Sequence, residues 1–385
     1  MTLHLATWAV VFIPLLWLYL LFGRGLFWRI DLSRQPLQAA KQSVVAIVPA
    51  RNEAEVIERS LTSLLHQQHV QLKIILIDDN SSDNTAAFAK SLASQNNRLT
   101  VVSGRPLPPG WSGKVWAMQQ GVEAAQRSSP DYLLFIDADI EHDPENIASL
   151  LSIAEAGHLD LASFMVKLHC RTLPEKLLIP AFVFFFFQLY PPKWTASNNN
   201  STAGAAGGCL LVRSDTLQRS GGLQQIRGEI IDDCSLARIV KRSGGKLWLG
   251  LTESAHSLRP YRTFGEIEHM ISRTAFNQLR HSLLLLLVAV AGLLATYIAP
   301  IALLFGNTNI AVLSGAAAFA LMMTSYAPMV RFYRLSPLWT LTLPFSAVFY
   351  MGATLHSAWK YWFGRGGQWK GRAQDQQRSE ESLAR

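Results

Sequence analysis

Cysteine is scarce in this chain: its 385 residues hold three, Cys170, Cys209 and Cys234, with no Cys-x-x-Cys among them. Neither a thiolate zinc site nor a disulfide framework is available at that spacing, and the pattern suits a reducing compartment. Charge is also thin, at 16% of residues. The Gly113-Lys114 pair lacks the preceding Gly-x-x-x-x spacing of a Walker A loop, so it is no P-loop. The start has no basic region and no small-residue cleavage site, which argues against a cleaved signal peptide. No internal repeat is detectable.

What is abundant is apolar sequence. Hydrophobic residues make up 49% of the chain and mean hydropathy is +0.16, too high for a wholly soluble protein of this length. Residues 3–22 form an uncharged apolar run long enough to span a bilayer. Arg24, Arg29, Arg34 and Lys41 follow it and hold that side in the cytoplasm. Three further apolar stretches, 283–305, 310–330 and 338–358, come late. The last is broken by Pro344 and Gly352, and a full crossing there would leave Lys360, Arg365, Lys370 and Arg372 outside; a re-entrant or surface-lying segment removes that conflict. Residues 175–190, with four consecutive phenylalanines, are short for a span and read as an interfacial helix. The formal charge of +8 is explained by basic residues flanking membrane segments, so nucleic acid is not an expected partner.

Between these segments, residues 43–280 alternate strand-like and helical patterns, the mark of βαβ units and a doubly wound, mostly parallel α/β sheet. Strands are expected at 44–48, 72–77, 99–102 and 132–136, and helices at 54–67 and 85–92. The expected organisation is an anchor at 1–28, a cytoplasmic catalytic domain at 43–280, a membrane region at 283–358, and a basic tail at 359–385 with a disordered end.

Acidic residues cluster where these strands end. Asp78 and Asp79 follow the second strand, at the carboxyl edge where open α/β sheets bind ligands, and can accept from a base N–H or a ribose hydroxyl. Ser81, Ser82 and Asp83 are better explained as caps of the next helix. Glu53, with Arg51, follows the first strand at the same edge and can flank a nucleotide, while Asn52 is an equally good cap. Asp137 and Asp139 close the fourth strand; in extended backbone, residues two apart face one way and can offer two oxygens to one divalent ion. Asp143 before Pro144 reads as a helix cap. Trp111-Ser112-Gly113-Lys114 opens a helix whose free N–H groups and lysine charge favour a phosphate. Asp232 and Asp233 begin another helical run; Asp233 is the candidate general base, and Asp232 stands beside it or caps the helix. Arg259, Arg262, Arg273 and Arg280 suit a diphosphate or lipid headgroups, and His256 is more simply structural.

Taken in order, Ile47-Val48-Pro49-Ala50-Arg51-Asn52-Glu53, Ile77 through Thr85, Asp137-Ala138-Asp139 and Ile231-Asp232-Asp233-Cys234-Ser235-Leu236 resemble the motifs of family 2 inverting glycosyltransferases. Gly110-Trp111-Ser112-Gly113-Lys114-Val115-Trp116-Ala117 and the flanking apolar segments look most like the bacterial hopene-associated members, and more distantly like ceramide glucosyltransferases. The resemblance implies a GT-A fold, a nucleotide-diphosphate sugar donor, UDP-linked, and Mg2+ or Mn2+. It implies that Asp78 and Asp79 meet the nucleotide, Asp139 with Asp137 the metal, and that Asp233 is the base of an inverting displacement. The acceptor would be a lipid, a hopanoid, at the bacterial cytoplasmic membrane. Arg273 to Arg280 lacks the tryptophan of the Gln/Arg-x-x-Arg-Trp motif, which argues against polymer synthesis. Two other readings stay open: a nucleotidyltransferase of similar fold, and a catalytically silent membrane scaffold or lipid carrier.

Overall fold

The computed structural model describes residues 2–32, 41–363, 368–369 and 372–373. The end of the basic tail lies outside the described residues, as do Arg34, Arg365, Lys370 and the side chain of Arg372. Two compact units are formed. One holds residues 31–169, 194–260 and 367–385; the other holds 1–30, 170–193 and 261–366. Residues 170–193 and 261–280, expected within the catalytic domain, thus belong to the apolar unit.

The first unit is built on eight strands: β1 (Ser43–Ala50), β2 (Gln71–Asp78), β3 (Leu99–Ser103), β4 (Tyr132–Phe135), β5 (Ile140–His142), β6 (Leu161–Lys167), β7 (Leu210–Arg213) and β8 (Leu247–Ser257). Their order is β3-β2-β1-β4-β7-β6-β8-β5. The β3-β2-β1-β4 half is parallel, as expected, and so is the β6–β8 pair. β7 runs antiparallel between β4 and β6, and β5 antiparallel on β8, so the sheet is mixed.

Alternation along the strands explains why both faces are covered. On β1, Val44, Ala46 and Val48 join one core with Ile57, Leu61 and Leu64 of the Ile57–Leu65 helix. Val45 and Ile47 point the other way, to Val115 and Met118 of the Gly113–Ala125 helix and Leu236 and Val240 of the Asp232–Arg242 helix. This period of two is what a strand buried on both faces requires. Gly121 lets its helix close on β1: a Cβ there would stand 2.3 Å from Ile47 Cγ2.

Register brings the chemistry to one edge. Ala50 pairs with Asp78 and Asp78 with Ser103, so the loops after β1, β2 and β3 leave side by side. β4 ends beside β1, with Phe135 opposite Ile47, and Leu210 at the start of β7 lies opposite Phe135.

The second unit is helical. The N-terminal helix, Thr2–Leu18, continues into a π-turn at Tyr19–Gly23. Leu173–Ala196, Leu283–Leu304, Asn309–Phe332 and Pro337–Trp362 are long and apolar enough to cross a membrane. The first of these exceeds the length expected from sequence, but its continuous α-helical part is Leu173–Leu189, with a break at Tyr190 and Pro191. Thr172 and Glu175 close a capping box on that helix, and the buried Glu175 also accepts from the Tyr261 amide at 2.7 Å. Elsewhere Trp17 Nε1 donates to Thr296 O at 2.8 Å inside the π-turn Leu294–Ile298. A carbonyl displaced from regular helical pairing is satisfied in this way.

Candidate active site

Lys114 is the hub. It stands in the first turn of the Gly113–Ala125 helix, which does start where the sequence predicts, and its Nζ lies 2.8 Å from Asp137 Oδ1 and 3.1 Å from Asp232 Oδ2. Asp137 follows β4, and Asp232 and Asp233 open the Asp232–Arg242 helix. A Cβ on Gly207 would meet Asp233 Oδ2 at 3.4 Å, Lys114 Nζ at 3.4 Å and Asp137 Oδ2 at 3.6 Å. Asp137 and Asp233, distant in sequence, and Lys114 therefore surround a single glycine, with Asp232 on the far side of Lys114, in a small cavity also lined by Pro49 and Phe135.

Asp233 is held by two amides. Gly207 N–H donates to Oδ2 at 2.8 Å and Cys234 N–H to Oδ1 at 2.7 Å. Burial raises its pKa and the Asp232 charge raises it further; Lys114 and the Cys234 amide pull it back, Asp137 adds to the rise, and the balance stands at about 7. A carboxylate near neutrality is suited to taking a proton at physiological pH. For Lys114, burial works to lower the pKa, but the charges of Asp137 and Asp232, the hydrogen bond to Asp137 and the charge of Asp233 outweigh it, so the ammonium is fixed. Its charge is thus already engaged by carboxylates, not free for a phosphate as expected. Asp232 does not cap its helix, which has no side-chain cap; its carboxylate is turned to Lys114.

Glu53 and Asp139 share a different cation. Arg259, just beyond β8, donates from Nε to Asp139 Oδ2 at 3.0 Å and from Nη2 to Glu53 Oε2 at 2.7 Å. The Asp137-Ala138-Asp139 stretch is a turn, with Ile140 N–H returning to Asp137 O at 3.2 Å. The extended geometry expected there is replaced, and the two carboxylates engage different partners, Lys114 and Arg259. Among the described residues no group of three or more His, Cys, Asp or Glu forms a metal cage. Two hard oxygen donors still suit Mg2+ or Mn2+ when diphosphate oxygens and water complete the shell. Holding one ion between them requires Arg259 to give way at Asp139.

At the β2 end, Asp78 is buried to 8% exposure and accepts from Ser81 N–H at a long 3.4 Å. Asp79 is fully buried, its Oδ2 3.7 Å from Arg51 Nη1, and Arg51 also donates to Asp79 O at 2.5 Å. As folded, then, the Asp79 carboxylate is sealed inside and braces the β1 and β2 loops, while Asp78 lies at the opening strand edge. Asn52 does not cap; with φ at 52° it accepts from Ser82 N–H at 2.8 Å and ties the same two loops. Asp83 accepts from Thr85 N–H at 3.0 Å, but the N-cap of that helix is Asn84 and it has no side-chain cap; Ser81 and Ser82 bond to Asn52, so the expected capping by these three is not seen. Asp143 is no side-chain cap: the helix after it is Asn146–Ala156, which has none. His256 pairs through β8 with Glu141 of β5 and forms no metal group.

Gly207 is a residue that sequence reasoning passed over, and Arg259, expected to meet a diphosphate or lipid headgroups, instead pairs with Asp139 and Glu53. The Gly207-Gly208 pair ahead of a short strand was a usable signal, since a Cβ on Gly208 would strike Val166 Cγ2 at 2.8 Å. The partners of Arg259 were obscured by its neighbours in a basic run.

Residues 45–219 match the family model described as glycosyl transferase family 2. The chain is 32% identical over 128 residues to the 4,4'-diaponeurosporenoate glycosyltransferase of Staphylococcus haemolyticus (strain JCSC1435), covering 33% of this chain and 32% of that protein. It is 30% identical over 121 residues to the undecaprenyl-phosphate 4-deoxy-4-formamido-L-arabinose transferase of Proteus mirabilis (strain HI4320), covering 30% and 34%. The chain therefore spans about a third of the length of these curated relatives. Among solved structures, the mannosyltransferase PcManGT from Pyrobaculum calidifontis, in complex with GDP-Man and Mn2+, superposes with a TM-score of 0.53 at 17% identity, covering 91% of this chain and 99% of that one. That likeness speaks to the fold. With its mixed α/β sheet of GT-A type and the match over residues 45–219, the chain carries a family 2 glycosyltransferase domain.

Proposed function

We propose that the protein is a membrane-bound, non-processive inverting glycosyltransferase that moves one sugar from a nucleotide-diphosphate donor to a lipid acceptor. The observation that carries this reading is the gathering of Asp137, Asp232 and Asp233 around Lys114 and Gly207 at the carboxyl edge of the sheet. In the reaction, Asp233 accepts the proton of the acceptor hydroxyl as its oxygen attacks the anomeric carbon. The carbon–oxygen bond to the diphosphate breaks on the opposite face, so configuration inverts. The Lys114 cation pairs with Asp137 and Asp232 beside Asp233, and the Gly207 and Cys234 amides orient the Asp233 carboxylate. Asp137 and Asp139 would hold Mg2+ or Mn2+, which when bound neutralises charge on the departing diphosphate. Glu53 and Asp78 suit recognition of the nucleoside, with Asp79 bracing the loop that presents Asp78.

A lipid acceptor is supported by the apolar helices and by the two relatives, whose names carry diaponeurosporenoate and undecaprenyl phosphate. The resemblance of residues 110–117 and the flanking apolar segments to the hopene-associated enzymes favours a hopanoid in a bacterial cytoplasmic membrane, the family resemblance a UDP-linked donor, and the basic residues after the first apolar run a sheet domain on the inner side. The test is product analysis. Purified protein in lipid should release a nucleoside diphosphate from one of a UDP- and GDP-sugar panel, and lipid extracts should gain one hexose mass. Release of pyrophosphate would mark a nucleotidyltransferase instead. An unchanged cellular lipid profile after D233N and D139N would mark a scaffold.

A further inference from the structure

We propose that the last apolar helix, Leu343–Trp362, lies along the membrane surface instead of crossing it, with its exposed face seated in the acyl chains of the leaflet on the side where residues 264–281 lie. The inference rests on the membrane-bound reading above. It begins with a neighbour. The Phe264–Ser272 helix runs beside the last helix in step: Phe264 meets Phe349 at 6.0 Å between ring centroids, Glu268 Oε1 lies 2.7 Å from His356 Nδ1, and Lys360 Nζ donates to Ser272 Oγ at 2.9 Å. That neighbour cannot sit in hydrocarbon, because Arg262, Glu266, His269 and Arg273 are exposed along it at helical spacing.

Depth follows from this pairing. Residues 349–360 track a helix that must stay wet, so they remain near one depth over about 17 Å of helix. The residues left, 337–348, reach only about 21 Å even with their first turn stretched as a 3-10 helix, short of the ~30 Å hydrocarbon core. Beyond them, Phe276 N–H donates to Ser357 Oγ at 3.0 Å and His281 stacks on Tyr361 at 4.1 Å. The end of the helix is thus fastened to the stretch that leads into the Leu283–Leu304 helix.

A second packing partner agrees. Ser346 Oγ donates to Leu177 O at 2.7 Å and Tyr350 OH to Leu178 O at 2.9 Å, both in the Leu173–Leu189 helix. That helix cannot cross either: β6 before it and β7 after it pair in the same sheet, and a single crossing would part them. The outer face of the last helix is apolar throughout. Leu341, Phe345, Val348, Leu355, Trp359 and Trp362 are exposed at spacings of three, four and seven, while Ala347, Tyr350, Ala353 and Ala358 are buried behind them. Leu286 packs with Ala358, so this stripe is continuous with the exposed leucines of the Leu283–Leu293 helix. Tryptophans at that position suit the headgroup boundary.

Depth measurement tests it. With C170S as background, single cysteines at Leu341, Val348, Leu355 and Trp359 would carry nitroxides in full-length protein reconstituted in phosphatidylcholine vesicles; L294C and A320C, exposed near the middle of their helices, serve as spanning controls. The expected result is one shallow, oxygen-accessible depth at all four positions, within about 5 Å, one helical turn. A steady gradient, about 27 Å from 341 to 359 for a spanning helix, would overturn the proposal. Nickel-chelate accessibility at all four sites and at both controls would instead remove the membrane reading, and this proposal with it. Shallow depth at the four sites with deep controls supports both.

Discussion

Arg259 Nε lies 3.0 Å from Asp139 Oδ2, which makes a residue 120 positions downstream the partner of the acid best suited to hold a metal. The same guanidinium reaches Glu53, so one cation ties the loops after β1, β4 and β8. Arginine suits the task because its planar fork can serve two carboxylates at once.

Removing that guanidinium should change cation affinity. In R259M, Asp139 loses its competitor and the local field becomes more negative, so Mn2+ should bind about tenfold more tightly, about 1.4 kcal/mol. Arg259 is 37% exposed, so screening keeps the stability effect of the lost pair small, about 1 kcal/mol or less. Electron paramagnetic resonance of free Mn2+ during titration measures the affinity. Equal or weaker binding would show that Asp139 is not a metal ligand.

The pH dependence should follow Asp233. A base with its pKa at about 7 is inactive when protonated, so kcat/KM should rise with pH and level off above neutrality. Lys114 lowers that pKa, so K114M should move the rising limb to higher pH and reduce activity at pH 7 at least tenfold. K114R, which keeps the charge, should leave the limb nearer its original position. A pH profile that does not move in K114M would disconnect the two residues.

Gly207 separates stability from turnover. In G207A the new methyl meets neighbours at 3.4 to 3.6 Å, ordinary contact, so unfolding free energy should change by no more than about 1 kcal/mol. The methyl nevertheless stands among Asp233, Lys114 and Asp137, where reacting groups must approach. A loss of kcat of at least tenfold with an unchanged thermal midpoint is expected.

Gly121 should behave in the opposite sense. A methyl 2.3 Å from Ile47 Cγ2 forces the Gly113–Ala125 helix off β1, so G121A should cost about 1–3 kcal/mol by denaturant unfolding. The same methyl should cost less in an I47A background, because alanine lacks the Cγ2 and Cγ1 atoms that it would strike.

The parallel half of the sheet is legible because its central strands are buried on both faces and read as unbroken apolar runs, as at 44–48 and 74–77. Asp78 and Asp137 stand out for a related reason, since they follow such runs, while Asp233 stands out as the second of an acidic pair at a helix start. What sequence could not supply was which partner each acid takes. Asp79 and Asp78 are adjacent and alike in composition, yet one is sealed against Arg51 and the other lies at the strand edge. The antiparallel β7 was hidden because four residues carry too little pattern to reveal direction. The turn at Asp137-Ala138-Asp139 reads as strand until the backbone is seen to fold back. At Lys114, the helix start was correctly placed, but the charge was assigned to a ligand when two carboxylates already claimed it.

The position of β7 has a mechanical consequence. Gly207, whose amide holds the Asp233 carboxylate, is joined through two residues to a strand wedged between β4 and β6 in the middle of the sheet. Asp233 is thus moored to the middle of the sheet, the kind of central element whose local opening costs most. Under the proposed function, substrates can come and go around a fixed anvil, and the surrounding loops can be remodelled without misaligning Asp233.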